Sequence, residues 1–399
     1  MSICIVSEKI PPDFSGAGIR VYRQAIEIAA RNNQVTILSY TKNDEKNENL
    51  TAIQIKVHAD VKSKKNYFVK LISLPTIFIQ LLMKISKGKF DLVHCVYGAA
   101  SYLTIFTIII CKILGIKVTV GCTLDGMDDP VHVKKSRFGM FKYFIYKNID
   151  FAVCISPLLV SRHEEVGYDM SKVILIPNSV NMNIFNECRV NIFEFKKDHN
   201  ILAFDKVLIT IGGVIQRKGI MELVSAFDII KDYGNYALLI IGPTDIEPKY
   251  FDEVKNLIEE LHLNNRVLLL GKQSNIYDWM VSSDIFVFYS KAEGFGNVYI
   301  EAQASGVPIV TKRINGVTEF ILENNINGII TDNQVEFVEA VLKLINSKAL
   351  YNKLKENGKE NVRERFSNDV VIDKYIDLFN ETIGRNKLMK KRTINNGEV

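Results

Sequence analysis

Two carboxylates, Glu293 and Glu301, stand eight residues apart on either side of a glycine-flanked turn, Gly294-Phe295-Gly296. An apolar run, Asp284-Ile285-Phe286-Val287-Phe288-Tyr289-Ser290, precedes the turn and reads as a strand. The segment Val298-Tyr299-Ile300-Glu301-Ala302-Gln303-Ala304-Ser305 follows it and reads as a helix, closed by Gly306 and stopped by Pro308. The first amides of a helix have no partner within it, so the N–H groups of Phe295, Gly296, Asn297 and Val298 offer a seat for a phosphate. Glu293 would stand at the carboxyl end of the strand and Glu301 about one turn inside the helix. Amides between two hydrogen-bond acceptors suit a ligand that carries both phosphates and hydroxyls, as a sugar nucleotide does.

Other residues of chemical interest lie at similar strand ends. The run 207–212 ends in Gly212-Gly213, and Arg217-Lys218-Gly219 then opens a helical stretch over 220–230. Cations beside a helix start suit a phosphate leaving group, whose charge grows as its bond breaks. Near the start, Gly16-Ala17-Gly18 permits close backbone approach and precedes another helix. A dinucleotide-binding dehydrogenase would place a third glycine there; Ile19, Arg20 and Val21 follow instead, which weakens that reading. The segment Thr123-Leu124-Asp125-Gly126-Met127-Asp128-Asp129-Pro130 follows a further strand-like run. Its three aspartates raise the question of a metal. His94 sits inside an apolar run and reads as a core residue.

Taken in order, four of these segments resemble the retaining glycosyltransferases of the GT-B fold called GT4. Glu293 to Glu301 resembles that family's E-x7-E signature, and 207–219 resembles its strand, glycine loop and "KG". The segment 172–181, with Ile176-Pro177-Asn178, is similar to the family's "IPNGVD" stretch joining two domains, and Ser15-Gly16-Ala17-Gly18 resembles its first glycine loop. The match spans nearly the whole chain. It implies two doubly wound Rossmann-like α/β domains facing across a cleft, with a C-terminal helix crossing back to the first. It also implies transfer from a UDP- or GDP-linked sugar with retention, without a metal or other cofactor.

The resemblance assigns residues as well. Glu293 would accept hydrogen bonds from the transferred sugar and Glu301 from the ribose. Lys218 would face the diphosphate, and Gly16, Gly18, Gly213, Phe295, Gly296, Asn297 and Val298 would line the donor. Glu319, in Gly316-Val317-Thr318-Glu319, would mainly shape the site. The chain departs from the family twice. Gly213 stands where relatives carry an arginine, which makes Arg217 the candidate for the second positive charge. No histidine falls within 123–130, so Asp125 is the nearest polar candidate there. These departures keep two alternatives open, a catalytically silent GT-B partner subunit and a GT-B nucleotide-sugar epimerase.

At 399 residues the chain can hold two ordinary domains, and 47% apolar with 24% charged residues is a globular composition. Strand and helix signals alternate throughout, as in parallel α/β sheets. The expected domains are 1–180, binding acceptor, and 181–366, binding donor, then a returning helix over 367–386 and a disordered basic tail over 387–399. Six scattered cysteines with no C-x-x-C pair read as reduced core residues of a cytosolic protein. The start, Met1-Ser2-Ile3-Cys4, has no secretory character. Residues 1–184 carry 23 Lys+Arg against 15 Asp+Glu, so this half suits an anionic partner. Nucleic acid is disfavoured, because no basic helix with interleaved aromatics was found. Lys62, Lys64, Lys65, Lys70, Lys84 and Lys87 flank the apolar segment 68–85, so peripheral contact with an anionic membrane at its inner face is expected through it. A bacterial surface glycan or lipid-linked acceptor would fit that placement.

Overall fold

The computed structural model describes residues 1–13, 16–45, 47–56, 67–96, 98–186 and 191–395. The chain divides into two compact units, one of Met1–Pro177 with Val371–Val399 and the other of Asn178–Val370. The change of unit thus falls at 177/178, where 180/181 was expected. The chain returns to the first unit at Val371, within the helix Asn368–Asn395.

In the first unit seven strands run parallel: β1 (Ser2–Ser7), β2 (Gln34–Ser39), β3 (Leu50–Gln54), β4 (Leu92–Val96), β5 (Lys117–Cys122), β6 (Phe151–Cys154) and β7 (Val173–Leu175). Their spatial order is β3-β2-β1-β4-β5-β6-β7. Every residue of β4 and β6 is buried, as expected of strands covered on both faces by crossover helices. Those helices include α1 (Gly16–Ala30), α2 (Tyr67–Gly88), α3 (Tyr102–Leu114), α4 (Pro130–Lys135), α5 (Gly139–Tyr146) and α6 (Pro157–Glu165). The returning C-terminal helix adds Val371, Ile372, Tyr375 and Phe379 to the core formed by Ile3, Ile5, Val35 and Ile37. Burying each such large side chain stabilises the unit by about 1.5–3 kcal/mol. That helix is continuous to Asn395, so the backbone of 387–395 is helical where a disordered tail was expected. Strong helix formers such as Lys387, Leu388, Met389 and Lys390 extend a helix already anchored by its buried turns.

The second unit holds six parallel strands: β8 (Lys206–Ile211), β9 (Tyr236–Ile241), β10 (Val267–Gly271), β11 (Ile285–Phe288), β12 (Ile309–Lys312) and β13 (Ile329–Thr331). Their order is β10-β9-β8-β11-β12-β13, so the winding reverses between β8 and β11. The first sheet reverses likewise between β1 and β4. At such a reversal the crossovers leave in opposite directions and open a crevice beyond the carboxyl ends of the strands. The loops that follow β8 and β11 carry the basic and acidic residues singled out above.

Candidate active site

The two loops of the second unit are stitched together by backbone. Lys291 N donates to Arg217 O at 2.8 Å, and Ser290 Oγ donates to the same carbonyl at 3.2 Å. So close an approach needs Gly219, which has φ 64° and leads into the helix Ile220–Ile230. A Cβ on Gly219 would stand 2.2 Å from Tyr289 O, well inside contact distance.

The clasped loops gather charge on one atom. Glu293 Oε1 accepts from Lys218 Nζ at 2.6 Å and from Ser290 Oγ at 2.7 Å, and Arg217 Nη1 lies 3.1 Å away. Among the described residues no hydrogen bond reaches Glu293 Oε2. The Glu293 and Lys218 side chains are only 10% and 12% exposed, whereas Arg217 is 40% exposed. Lys218 Nζ also sits 4.9 Å from the centre of the Phe288 ring. Burial is the largest influence on both ions, with different outcomes. It drags Lys218 below the ordinary lysine range despite the pull of Glu293, since Arg217 repels it as well. For Glu293 burial is outweighed by the charges of Lys218 and Arg217 and by bonds from Lys218 and Ser290, which hold it below the usual carboxylate range. One carboxylate with two cations leaves a net positive site, suited to a phosphate.

The turn after β11 then delivers a helix start. Gly296 caps the helix Asn297–Ala304 with φ 85°, and a Cβ there would strike the Tyr299 ring at 2.6 Å. The Phe295 side chain packs edge-on to Phe320 and Phe366 and is buried, so only its backbone faces the turn. Asn297 Oδ1 accepts from Asn178 Nδ2 at 2.7 Å, which ties the "IPN" segment to the helix start. Val298 and Glu301 are half-buried in the first turns. Gly213 lies beside Pro243 and Ile246, and a Cβ would meet Ile246 Cδ1 at 3.0 Å. Glu319 is engaged elsewhere: it accepts from Arg313 Nη1 at 2.7 Å, and Arg313 also holds Asp332. A hollow of about 320 Å3 lined by Lys206, Asp284, Leu344 and Tyr351 lies at the opposite, amino ends of β8 and β11 and is remote from both loops.

In the first unit Gly16 and Gly18 open α1 behind β1, beside the sheet's reversal. Asp125 is bound in a two-pronged ion pair, Arg162 Nε to Oδ1 at 2.7 Å and Nη2 to Oδ2 at 3.1 Å. That pairing fixes the carboxylate expected to act there, which is 30% exposed. Asp128 and Asp129 are both buried, and Asp128 accepts from Gly98 N at 2.6 Å and from Thr123 Oγ1 at 2.5 Å. Burial chiefly raises the Asp128 pKa to about 6, against those two bonds and the charge of Arg20. Asp129 caps α4 by accepting from His132 N at 2.8 Å. Neither Asp128 nor Ser290 was singled out from sequence; their signal was position, just beyond β5 and β11.

His94 is a core residue as expected: Nδ1 pairs with Thr119 Oγ1 at 2.8 Å, and burial, with Arg20 nearby, lowers its pKa to about 3. Cys4, Cys95, Cys111, Cys122 and Cys154 are buried and free, and Cys188 lies outside the described residues. Among the described residues one group could approach a metal ion, Cys122, Cys154 and His163. The sulfurs lie beside opposite ring nitrogens, Cys122 at 3.9 Å from Nε2 and Cys154 at 3.5 Å from Nδ1. Nδ1 already meets Leu159 O at 2.8 Å, and Nε2 meets Tyr146 Oη at 2.9 Å. Both ring nitrogens are thus already engaged by protein groups, so the group reads as a packed hydrogen-bond network. The segment 69–85 forms most of α2, which buries Ile77, Leu81 and Ile85 in the core and leaves Ile79 and Met83 exposed at 53% and 46%. Lys62, Lys64 and Lys65 lie outside the described residues.

Comparison with known proteins bears on the whole arrangement. Residues 14–183 match the family profile described as Glycosyltransferase Family 4, and residues 191–361 match that of Glycosyl transferases group 1. The chain belongs to the GT4-type glycosyltransferases. The transferase is 24% identical over 284 residues to the N-acetyl-alpha-D-glucosaminyl L-malate synthase of Bacillus anthracis, covering 69% of this chain and 71% of that one. It is 25% identical over 318 residues to the UDP-Gal:alpha-D-GlcNAc-diphosphoundecaprenol alpha-1,3-galactosyltransferase of Escherichia coli, covering 75% and 78%. Among solved structures, HepE of Anabaena in complex with UDP superposes with a TM-score of 0.78 at 17% identity, over 96% of this chain and 100% of that one. This last likeness establishes the GT-B fold of the transferase. Among its described residues no helix is long and apolar enough to cross a membrane.

Proposed function

We propose that the transferase takes its sugar from a nucleoside diphosphate and transfers it with retention of anomeric configuration. The observation that carries this reading is the Glu293 carboxylate, held on one oxygen by Lys218, Ser290 and Arg217 at the β8/β11 reversal. Its other oxygen faces no protein donor among the described residues, so a sugar hydroxyl can donate to it. Lys218, Arg217 and the first amides of the helix Asn297–Ala304 would share the negative charge that grows on the departing phosphate. Arg217, beside Lys218 on the same carboxylate, would supply the positive charge that Gly213 cannot. With two cations and a helix start assigned to the phosphate, the reading needs no divalent metal. Glu301, one turn in, would accept from the ribose, and the acceptor would be bound by the first unit, near Gly16 and Gly18. The leaving phosphate would take the acceptor proton. The named relatives support a nucleotide-sugar donor, and the name of the E. coli relative supports a lipid-linked acceptor; the work would be done in the cytoplasm, at the inner face of a membrane.

A soluble acceptor is the second reading, favoured by the B. anthracis relative, whose name specifies malate. A panel of UDP- and GDP-sugars, screened for nucleotide release without acceptor and then with hydroxy acids or lipid-linked sugars, tests both. Slow donor hydrolysis is expected from a transferase and not from a silent subunit. Full activity in the presence of a chelator is expected of the metal-free reading, and loss of activity would remove it.

A further inference from the structure

Helix α5 turns its apolar residues the wrong way for a surface that meets only water. Its one lysine, Lys142, is buried, donates from Nζ to Ala100 O at 2.7 Å and sits 4.5 Å from the Tyr102 ring centre. Tyr143, Ile145 and Tyr146 are buried beside it. Met140, Phe141 and Phe144 point outward and are 71%, 64% and 67% exposed. Phe138, immediately before the helix, is 62% exposed and held at φ 59°, a conformation unfavourable for a bulky residue. On α3, which packs against α5, Ile113 is 71% exposed. Residues 131–149 contain five Lys/Arg and no Asp or Glu, and Lys135, Arg137 and Lys147 are exposed. Single apolar residues on a surface need no explanation. A stripe of three at helical spacing, extended by Phe138 and ringed by cations, has the composition of an interfacial helix.

We propose that Phe138 and α5 form the surface by which the transferase docks on an anionic lipid bilayer. Phe138, Met140, Phe141 and Phe144 would enter the boundary between headgroups and acyl chains. Lys135, Arg137 and Lys147 would meet the lipid phosphates. Charge selects the bilayer over a second copy of the chain, because two such faces would bring like charges together. The proposal places the main membrane contact not on the segment 69–85, which buries Ile77, Leu81 and Ile85 in the core, but on a helix two crossovers further on. It rests on the lipid-linked acceptor reading only for its purpose, since docking needs no donor.

Co-sedimentation with vesicles of phosphatidylcholine, alone or with phosphatidylglycerol, tests it on the full chain. Wild type is expected to bind the phosphatidylglycerol vesicles and to be released near 0.5 M salt, where the screening length is about 4 Å. Phe141→Ser with Phe144→Ser should lower binding about tenfold or more, through lost apolar burial. Lys135→Gln, Arg137→Gln and Lys147→Gln together should lower it roughly 100-fold, from about fivefold for each basic residue. Both variants should keep the melting temperature and donor hydrolysis of wild type, because every altered side chain is exposed. No binding to anionic vesicles, equal binding to neutral ones, or wild-type binding by both variants overturns the proposal. So does a dimer in sedimentation velocity that the serine variant dissociates while vesicle binding persists. Absence of donor hydrolysis in wild type with vesicle binding intact would count against the transferase mechanism alone.

Discussion

Replacing Lys218 by alanine separates a catalytic ion pair from a structural one. At 2.6 Å and an effective dielectric of about 20, Lys218 and Glu293 attract by about 6 kcal/mol. Desolvation of two buried ions offsets most of that, several kcal/mol for each. Removing one partner of a buried pair usually costs about 3–5 kcal/mol, because the other charge is left uncompensated. Here Arg217, 3.1 Å away, and Ser290 remain on Glu293, so the loss in folding should be smaller, about 1–2 kcal/mol. For a unit of this size that is a fall in melting temperature of roughly 2–8 °C. The catalytic loss should be larger. A preorganised cation facing a developing phosphate charge contributes about 2–4 kcal/mol, which is roughly 30- to 1,000-fold in kcat. Nucleotide release from the donor, measured at 25 °C where the variant is folded, reads this directly. A variant that melts a few degrees lower yet turns over within about threefold of wild type would refute the assignment, since the pair would then only brace the loops.

Arg217→Ala should lower turnover comparably if it stands in for the missing arginine at 213, and a rate near wild type in steady-state kinetics would return it to an ordinary surface arginine. Glu301→Ala should raise the nucleotide Kd about tenfold with kcat less affected, as expected for a ribose contact present in both ground and transition states; titration calorimetry checks it. Gly219→Ala forces a left-handed alanine against Tyr289 O, so urea unfolding should show a loss of about 2 kcal/mol or more together with loss of turnover, and an unperturbed melt would show that the loop clasp is not needed. Asp128 has its pKa raised by burial to about 6, so it favours the fold below about pH 4 and loses that contribution as pH rises through 6. Asp128→Asn should flatten this decline in urea midpoints measured from pH 4 to 7.5, and an unchanged slope would mean that other groups cause it.

Both sheets were readable because central parallel strands such as β8 and β11 are continuous apolar runs ended by glycine or polar turns. The short edge strands β3, β7 and β13 were not, since runs of three to five residues are too short to carry a periodic signal. Segment 69–85 was read correctly as a helix, but which face it buries depends on the sheet beneath it, and Ile77, Leu81 and Ile85 answer to that sheet. Glu293 and Lys218 were each found from local motifs; their 2.6 Å contact was not, because it joins residues 75 apart through the order of strands. Asp125 and Asp128 look alike in a run of three aspartates. Arg162, from a helix 37 residues away, pairs with Asp125, whereas Asp128 is buried and bonded to Gly98 N and Thr123 Oγ1, a difference that the run itself does not carry. The aromatic and basic run around α5 was overlooked because Lys142 breaks its pattern, and only the fold shows that this lysine points inward.

The most direct measurement is proton NMR of the first sugar product released or transferred from a nucleoside-diphosphate sugar, followed in wild type and in Glu293→Gln. The account predicts that wild type forms product with the anomeric configuration of the donor, and that the folded Glu293→Gln variant does so about 100-fold more slowly or worse. An inverted product, or a Glu293→Gln variant as fast as wild type, would contradict it.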